Sequence, residues 1–330
     1  GKAKMDVPAN FFQADVLEIE AFDKFGKSIC TWTWPINYAD GYYAKQIDNL
    51  KPSGTASFEN KDSLLQLKGG NVSVLFSKAT GKIVKVESGA KEMPFNNGPI
   101  AVGMKIKFKE VKARMDGNDA LFVVKYLGGI DSIVWRMNPD GLLHMNAVML
   151  NRASGGGGFD DAFTDESILN FGLTFSFPEE NVSGMRWMGR GPYRVWKNRI
   201  KGTNYGIWHK DYNNTITGES DFGLVYPEFK GHHANLYWAT LESKTTPFTV
   251  YSESDGVFFR VFTPQEPKGR QDGKATMPVF PEGDLSFLYD IPGIRSFKPV
   301  SQHGPQSQPG NIRIKLGDEG IRMKLLFDFR

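Results

Sequence analysis

The segment from residue 187 to residue 199 holds the densest mixture of aromatic, basic and amide side chains in the chain. It reads Trp-Met-Gly-Arg-Gly-Pro-Tyr-Arg-Val-Trp-Lys-Asn-Arg, and more aromatics follow between residues 205 and 212. Sugar sites combine flat apolar faces, which stack on the C–H groups of a pyranose, with planar donors and acceptors that read its hydroxyl groups. The segment therefore predicts a carbohydrate-binding surface. The alternative is a glycine and proline turn whose aromatic side chains pack at the edge of a sheet.

Eight residues of this region supply the side-chain types that such a surface needs. The predicted carbohydrate contacts are Arg190, Tyr193, Trp196, Asn198, Arg199, Trp208, His209 and Tyr212.

Bond-breaking chemistry is less visible than binding chemistry. Glycoside hydrolysis needs two carboxylates about 5 to 9.5 Å apart, and none of the 37 acidic residues lies in a recognisable catalytic motif. Neither a (β/α)₈ pattern nor a Gly-x-Ser-x-Gly elbow is present, and Gly189-Arg190-Gly191 lacks the third glycine of a dinucleotide-binding loop. We therefore predict no catalytic residue in this chain.

Metal-binding patterns are also missing. The single cysteine, Cys30, excludes an internal disulfide and Cys-based zinc motifs. The acidic residues between 153 and 166 do not have the spacing of an EF-hand and are interpreted as a solvated loop. Adjacent residues of a strand point to opposite faces, so His232 and His233 are expected to be one packed and one exposed side chain. We predict no metal and no cofactor.

Alternating apolar residues, the mark of a strand with one buried face, dominate the rest of the chain. The last ten residues show it best, since Ile321, Met323, Leu325, Phe327 and Phe329 share one face and only Leu326 breaks the pattern. Further strands are predicted at 16–20, 28–34, 121–127, 142–150, 171–177, 236–241, 248–251, 257–262, 285–291 and 312–316. Helices are predicted only weakly, at 44–50 and 160–169. The fold class is therefore all-β, with many strands in two packed sheets.

Two parts of the chain are distinguished by their pattern. Residues 1–55 form a hairpin and a linker, which would be either the tail of an upstream β-sandwich or an edge hairpin of the main domain, and residues 56–330 form that domain. The start at Gly1-Lys2 lacks an initiator Met and a signal core, so we expect a trimmed chain. A net charge of +3 favours neither nucleic acid nor a charged ligand, and no apolar run approaches the roughly 20 residues of a membrane helix.

The motif Trp-x-Gly-x-Gly-Pro at residues 187–192, with Asn198-Arg199 after it, resembles the C-terminal domain of glycoside hydrolase family 2 β-galactosidases. Residues 65–83 are similar to the opening hairpin of that domain, and Asn97-Gly98-Pro99-Ile100 stands where the family has a short proline segment. The resemblance covers roughly residues 60–330. It implies a large antiparallel β-super-sandwich, similar to galactose mutarotase, at the end of a multidomain enzyme.

The resemblance also implies where the chemistry takes place. In such enzymes both catalytic glutamates belong to an upstream (β/α)₈ barrel, so this chain would bind an uncharged galactoside or a related glycan together with upstream domains of a periplasmic or secreted enzyme. The family lends its active site a Trp from a late loop. Here residues 293–306 contain no Trp, and Phe297 or His303 would supply the stacking face.

Two other functions stay open. A stand-alone aldose mutarotase would need a general acid and a general base, for which His209 or His232 with Glu228 or Glu242 are the available pairs. In a purely structural domain, the aromatics would belong to the core and the loops would contact sister domains.

Overall fold

The computed structural model describes residues 2, 4, 6–47, 50–149, 170–214, 229–263, 280–293 and 320–330. These residues form antiparallel strands in three sheets, one α-helix (α1, Ala39–Gln46) and short 3-10 helices at Phe11–Gln13 and Glu179–Asn181. The prediction of an all-β fold is confirmed. None of the described helices is long and apolar enough to span a membrane.

The nine-stranded sheet has the order β15-β14-β17-β18-β21-β12-β11-β10-β9. Its strands, in that order, are Asn204–Asp211, Val182–Gly191, Trp238–Ser243, Phe248–Ser252, Ile321–Asp328, Leu142–Met149, Ile130–Met137, Asp119–Gly128 and Ile106–Asp116.

The ten-stranded sheet has the order β16-β19-β20-β13-β8-β6-β5-β4-β3, with β7 paired to β6. Its strands, in that order and ending with β7, are Gly231–His233, Phe258–Val261, Leu285–Asp290, Phe171–Ser176, Asn96–Val102, Ile83–Ser88, Val72–Ser77, Leu64–Gly69, Ser57–Lys61 and Lys91–Met93.

The main core contains side chains from both large sheets, as the alternating pattern predicts. The Phe95 ring centroid lies 4.9 Å from that of Phe175, in the ten-stranded sheet, and 5.5 Å from that of Phe327, in the nine-stranded sheet. Aromatic rings bury large areas and stabilise such contacts beyond their area alone. The two large sheets therefore form a sandwich with an aromatic core.

The last strand confirms the predicted faces and explains their one exception. Met323, Leu325 and Phe327 are fully buried in the core. Leu326 points to the other face, where it is buried with Leu142 and Tyr43 because helix α1 covers that part of the sheet. The helix had been predicted at 44–50, and it begins earlier because Ala39 and Tyr43, one turn apart, both pack inward.

The N-terminal strands β1 (Val16–Phe22) and β2 (Ser28–Pro35) form a separate two-stranded sheet. Strand β2 contacts the start of β15, where Thr33 Oγ1 accepts a hydrogen bond from the Tyr205 backbone N–H at 2.7 Å and lies 3.3 Å from Asn204 Oδ1. Helix α1 then lies on the outer face of the nine-stranded sheet. The proposed boundary near residue 55 stays a prediction. The predicted helix at 160–169, the predicted strand at 312–316 and the acidic loop at 153–166 fall outside the described residues.

Candidate functional site

The glycines of the Trp-x-Gly-x-Gly-Pro motif are required by close contacts with Asn235 on one side of β14 and with Trp208 of β15 on the other. A Cβ on Gly189 would lie 2.7 Å from the backbone oxygen of Asn235, and a Cβ on Gly191 would lie 2.6 Å from the Trp208 ring. Trp208 also donates from Nε1 to the Gly189 carbonyl at 3.1 Å. The two glycines thus let the Trp208 ring pack directly on the backbone of β14, which fixes the end of this strand.

Arg190 connects the two ends of the loop that follows. Its guanidinium carbon lies 4.5 Å from the centre of the Tyr205 ring, and Nη1 donates to the Thr203 carbonyl at 3.0 Å. Cation–π contacts of this kind are favourable by about 0.5 to 2 kcal/mol. Arg190 therefore holds residues 203–205 close to the motif.

The loop of residues 192–203 packs over the outer face of the ten-stranded sheet. The backbone N–H of Val195 donates to the His232 carbonyl at 2.7 Å, and that of Lys197 donates to the Pro292 carbonyl at 3.1 Å. The Lys197 ammonium lies 2.7 Å from Asp290 Oδ2, and both side chains are almost completely buried. A buried pair of this kind is costly to break, because the remaining charge loses its partner. The ion pair therefore fixes the loop to strand β20.

The predicted contacts on this loop differ in accessibility. Tyr193 is 61% exposed, Arg199 is exposed and Asn198 is partly buried. Trp196 is buried, and its ring packs against His232 and Phe280 with centroids 5.7 and 5.9 Å away. Trp196 thus occupies a packing position, whereas Tyr193 and Arg199 are open to a ligand.

Beneath the loop lies a row of buried polar side chains across four strands. Thr174, Ser286, Arg260 and His232 are register partners on neighbouring strands and point away from the core, since Phe259 and Phe287 beside them point into it. Arg260 donates to Ser286 Oγ, Thr263 Oγ1 and the Gly283 carbonyl at 2.9, 2.7 and 2.6 Å. Burial lowers the pKa of Arg260 to about 10, so the guanidinium stays charged at neutral pH.

Both adjacent histidines are buried, so the expectation that one is exposed is wrong. The loop with Trp196 covers His232, and Trp187 packs on His233 at 4.5 Å on the core side. Their ring nitrogens have no hydrogen-bond partner in the part of the chain that the structure describes. Burial lowers the pKa of His232 well below its usual value and that of His233 to about 3. Both imidazoles are therefore neutral.

His209 and Tyr212 lie toward the other end of the hairpin. Asn204 pairs with Gly191 and Asp211 with Gly184, a separation of roughly 23 Å at about 3.3 Å per residue. The Tyr212 hydroxyl donates to Glu179 Oε1 at 2.5 Å, and burial together with this carboxylate raises its pKa to about 12. His209 is exposed, with Nε2 3.3 Å from Glu242 Oε2. The structure therefore does not gather all the predicted contacts in one place.

A cleft of about 570 Å³ lies between the N-terminal hairpin and the start of β15. One wall is the strand segment from Cys30 to Trp34, and the other consists of Arg190 and residues 201–204. Trp32 and Trp34 point to the same face of β2 and are 45% and 47% exposed. We call this feature the aromatic cleft. Its size falls in the range of small-molecule sites, and it combines flat apolar rings with planar polar groups.

Sequence reasoning identified Arg190 but missed the two tryptophans. Trp32 and Trp34 alternate with Thr31 and Thr33, a pattern that predicts a strand with one buried face. In the structure the opposite face of β2 is buried instead, because Thr33 on that face contacts strand β15 at Tyr205. The available signal was the presence of two tryptophans two residues apart on a predicted strand. Phe297, His303 and Glu228 lie outside the described residues, and no three described His, Cys, Asp or Glu side chains are grouped so as to hold a metal ion.

Comparisons with known proteins give one family match and one distant structural likeness. Residues 100–263 match the family model described as the β-galactosidase small chain. No curated protein matches the chain. Among solved structures, one from Escherichia coli K12, described provisionally as an aldose 1-epimerase, is 11% identical with a TM-score of 0.38, over 83% of this chain and 98% of that chain.

Proposed function

We propose that this chain is the C-terminal, carbohydrate-contacting domain of a glycoside hydrolase related to β-galactosidases, whose catalytic carboxylates lie in another part of the enzyme. The observation that carries the proposal is the aromatic cleft. Its lining includes Trp32 and Trp34, both half exposed, from the N-terminal hairpin, and Arg190, Thr203 and Asn204 from the other side. The match to the β-galactosidase small chain supports a galactoside or a related glycan as the ligand. Such an enzyme would be periplasmic or secreted.

The two walls would have different roles in binding a sugar. Alternate residues of a strand are about 6.4 to 6.8 Å apart, so the rings of Trp32 and Trp34 would span the length of one pyranose or the junction of two. Arg190 and Asn204 supply planar donors and acceptors for hydroxyl groups. Apolar stacking would hold the ring plane, and the polar groups would fix its orientation.

A domain of this kind contributes binding energy to a reaction that takes place elsewhere. Contacts with remote parts of a substrate raise the rate when they help to orient it in the transition state. Tyr193 and Arg199, which are exposed on the loop, extend the surface beyond the cleft.

The experiment uses the complete enzyme that contains this chain. Trp34→Ala removes one stacking face, and we expect kcat/KM on the natural glycan to fall about ten- to thirtyfold, the effect of losing a central aromatic contact. Phe25→Ala is the matched control, because Phe25 is 82% exposed on the same hairpin and does not line the cleft. Equal kinetics for the two variants and the wild type would contradict the proposal.

A mutarotase is the second candidate, supported by the contact between His209 and Glu242. An imidazole and a carboxylate can exchange protons with the ring oxygen and anomeric hydroxyl of an aldose. Polarimetry on α-glucose and α-galactose tests it directly. Mutarotation that the wild-type chain accelerates and that Glu242→Gln slows would replace the first proposal, and a rate equal to that of buffer would remove this candidate.

A further inference from the structure

The loop that forms one wall of the aromatic cleft is strongly basic although the whole chain is nearly neutral. Between residues 190 and 210 there are five Arg and Lys side chains before Lys210, and no Asp or Glu. Those five are Arg190, Arg194, Lys197, Arg199 and Lys201. The net charge of +3 for 330 residues therefore conceals a concentrated positive region beside the cleft.

Lys197 differs from the cations of this region that form no ion pair with a described residue. Its ammonium is buried and paired with Asp290, so it has a structural role. Arg190, Arg199 and Lys201 have no ion-pair partner in the part of the chain that the structure describes. Arg199 and Lys201 are exposed.

The lining of the cleft is positively charged, like the loop beside it. It includes Arg190 and Lys201, and no carboxylate is among its described lining residues. A cleft of one sign between low-dielectric walls focuses its field on the ligand. Arg also presents a planar fork of donors that matches the oxygens of a carboxylate or a sulfate. A neutral sugar would give Arg190 and Lys201 no anionic partner.

We infer that the aromatic cleft selects anionic glycans, which carry a uronate carboxylate or a sulfate ester next to the ring that stacks on Trp32 and Trp34. The inference rests on the proposed function and specifies its substrate class. Arg190 and Lys201 would contact the anionic group. Arg199, two residues before Lys201, would add to the positive electrostatic potential around it. No bond is made or broken in this step.

Isothermal titration calorimetry with three disaccharides tests the inference on the complete enzyme. The probes are galactobiose, galactobiose with one sulfate ester, and digalacturonic acid. We expect at least one anionic disaccharide to bind about tenfold more tightly than galactobiose, the effect of a charge-assisted hydrogen bond. This preference should shrink at 0.5 M NaCl, where exposed charges are screened. The two anionic probes distinguish a carboxylate from a sulfate as the preferred group.

The variant Lys201→Gln should reduce the preference for the anionic disaccharide over galactobiose. Lys91→Gln is the control, because Lys91 is an exposed lysine on β7 that does not line the cleft; this variant should preserve the preference. Equal affinity for all three disaccharides, with Trp34→Ala weakening each, would overturn the inference and leave the proposed function standing. If none of the three binds, both fail.

Discussion

At the scale of single residues, the two buried histidines couple the stability of the fold to pH. The imidazoles of His232 and His233 are neutral in the folded chain, because burial lowers both pKa values, that of His233 to about 3. In the unfolded chain a histidine binds a proton below about pH 6.5. The unfolded state therefore binds more protons below this pH, and stability must fall as the pH decreases.

We predict that the free energy of unfolding falls between pH 6.5 and pH 5 by up to about 1.4 kcal/mol per pH unit for each histidine. Urea unfolding at several pH values measures the slope. His233→Leu, which keeps an apolar group against Trp187, should make the slope smaller. A slope identical to that of the wild type would show that His233 is already protonated in the folded state.

A second residue-scale prediction concerns the glycines of the motif. Gly191→Ala places a methyl group 2.6 Å from the Trp208 ring, and overpacking of this kind costs about 1 to 3 kcal/mol. Thermal unfolding should show a lower Tm. Gly41, in helix α1, is the control. A Cβ added there lies 3.6 Å from its nearest neighbour, the side chain of Asn37. Gly41→Ala should therefore be neutral or stabilising by up to about 1 kcal/mol. Equal effects of the two substitutions would argue against a special role for Gly191.

At the scale of elements, the loop 192–203 is held by one buried ion pair. Lys197→Met leaves Asp290 buried without its ammonium partner, which we expect to cost about 3 to 5 kcal/mol. The loop should loosen as a result and the affinity for the sugar should fall. Replacing both members, as in Lys197→Met with Asp290→Leu, should restore most of the stability. Chemical denaturation and calorimetry measure the two effects separately.

The control is the ion pair between the buried Lys230 and the partly exposed Glu179, at the same distance of 2.7 Å. Lys230→Met should also destabilise the fold, but it lies outside the loop and should leave the affinity for the sugar unchanged. If both lysine variants weaken sugar binding equally, loss of binding would reflect general instability and not the position of the loop.

The elements also show how far the sequence predicts this structure. Strand β21 follows its apolar alternation, because one face lies in the core along its whole length. Leu326 departs from the pattern because helix α1, which begins more than 280 residues earlier, covers the outer face. Periodicity describes what a strand buries on average, but it does not reveal which distant element covers the second face. For the same reason the aromatic cleft, whose walls are about 170 residues apart, could not be predicted.

At the scale of the whole molecule, the sandwich separates structural from binding roles. The aromatic core joins the two large sheets, while the cleft and the N-terminal hairpin lie beside β15, the edge strand of the nine-stranded sheet, and the basic loop packs over the ten-stranded sheet. Trp187 of the motif and Trp196 of the loop 192–203 are buried, whereas Trp32 and Trp34 are half exposed. The motif therefore stabilises the fold next to the proposed site, and the N-terminal hairpin of β1 and β2 supplies the stacking surface.

The most direct test of the account is calorimetric titration of the protein with a galactoside disaccharide, comparing the wild type, the double variant Trp32→Ala/Trp34→Ala and Phe25→Ala. We predict that the wild type and Phe25→Ala bind with the same affinity. The double variant should bind at least about thirtyfold more weakly, because two central stacking contacts are lost. Binding by the double variant that equals binding by the wild type would contradict the aromatic cleft as the carbohydrate site.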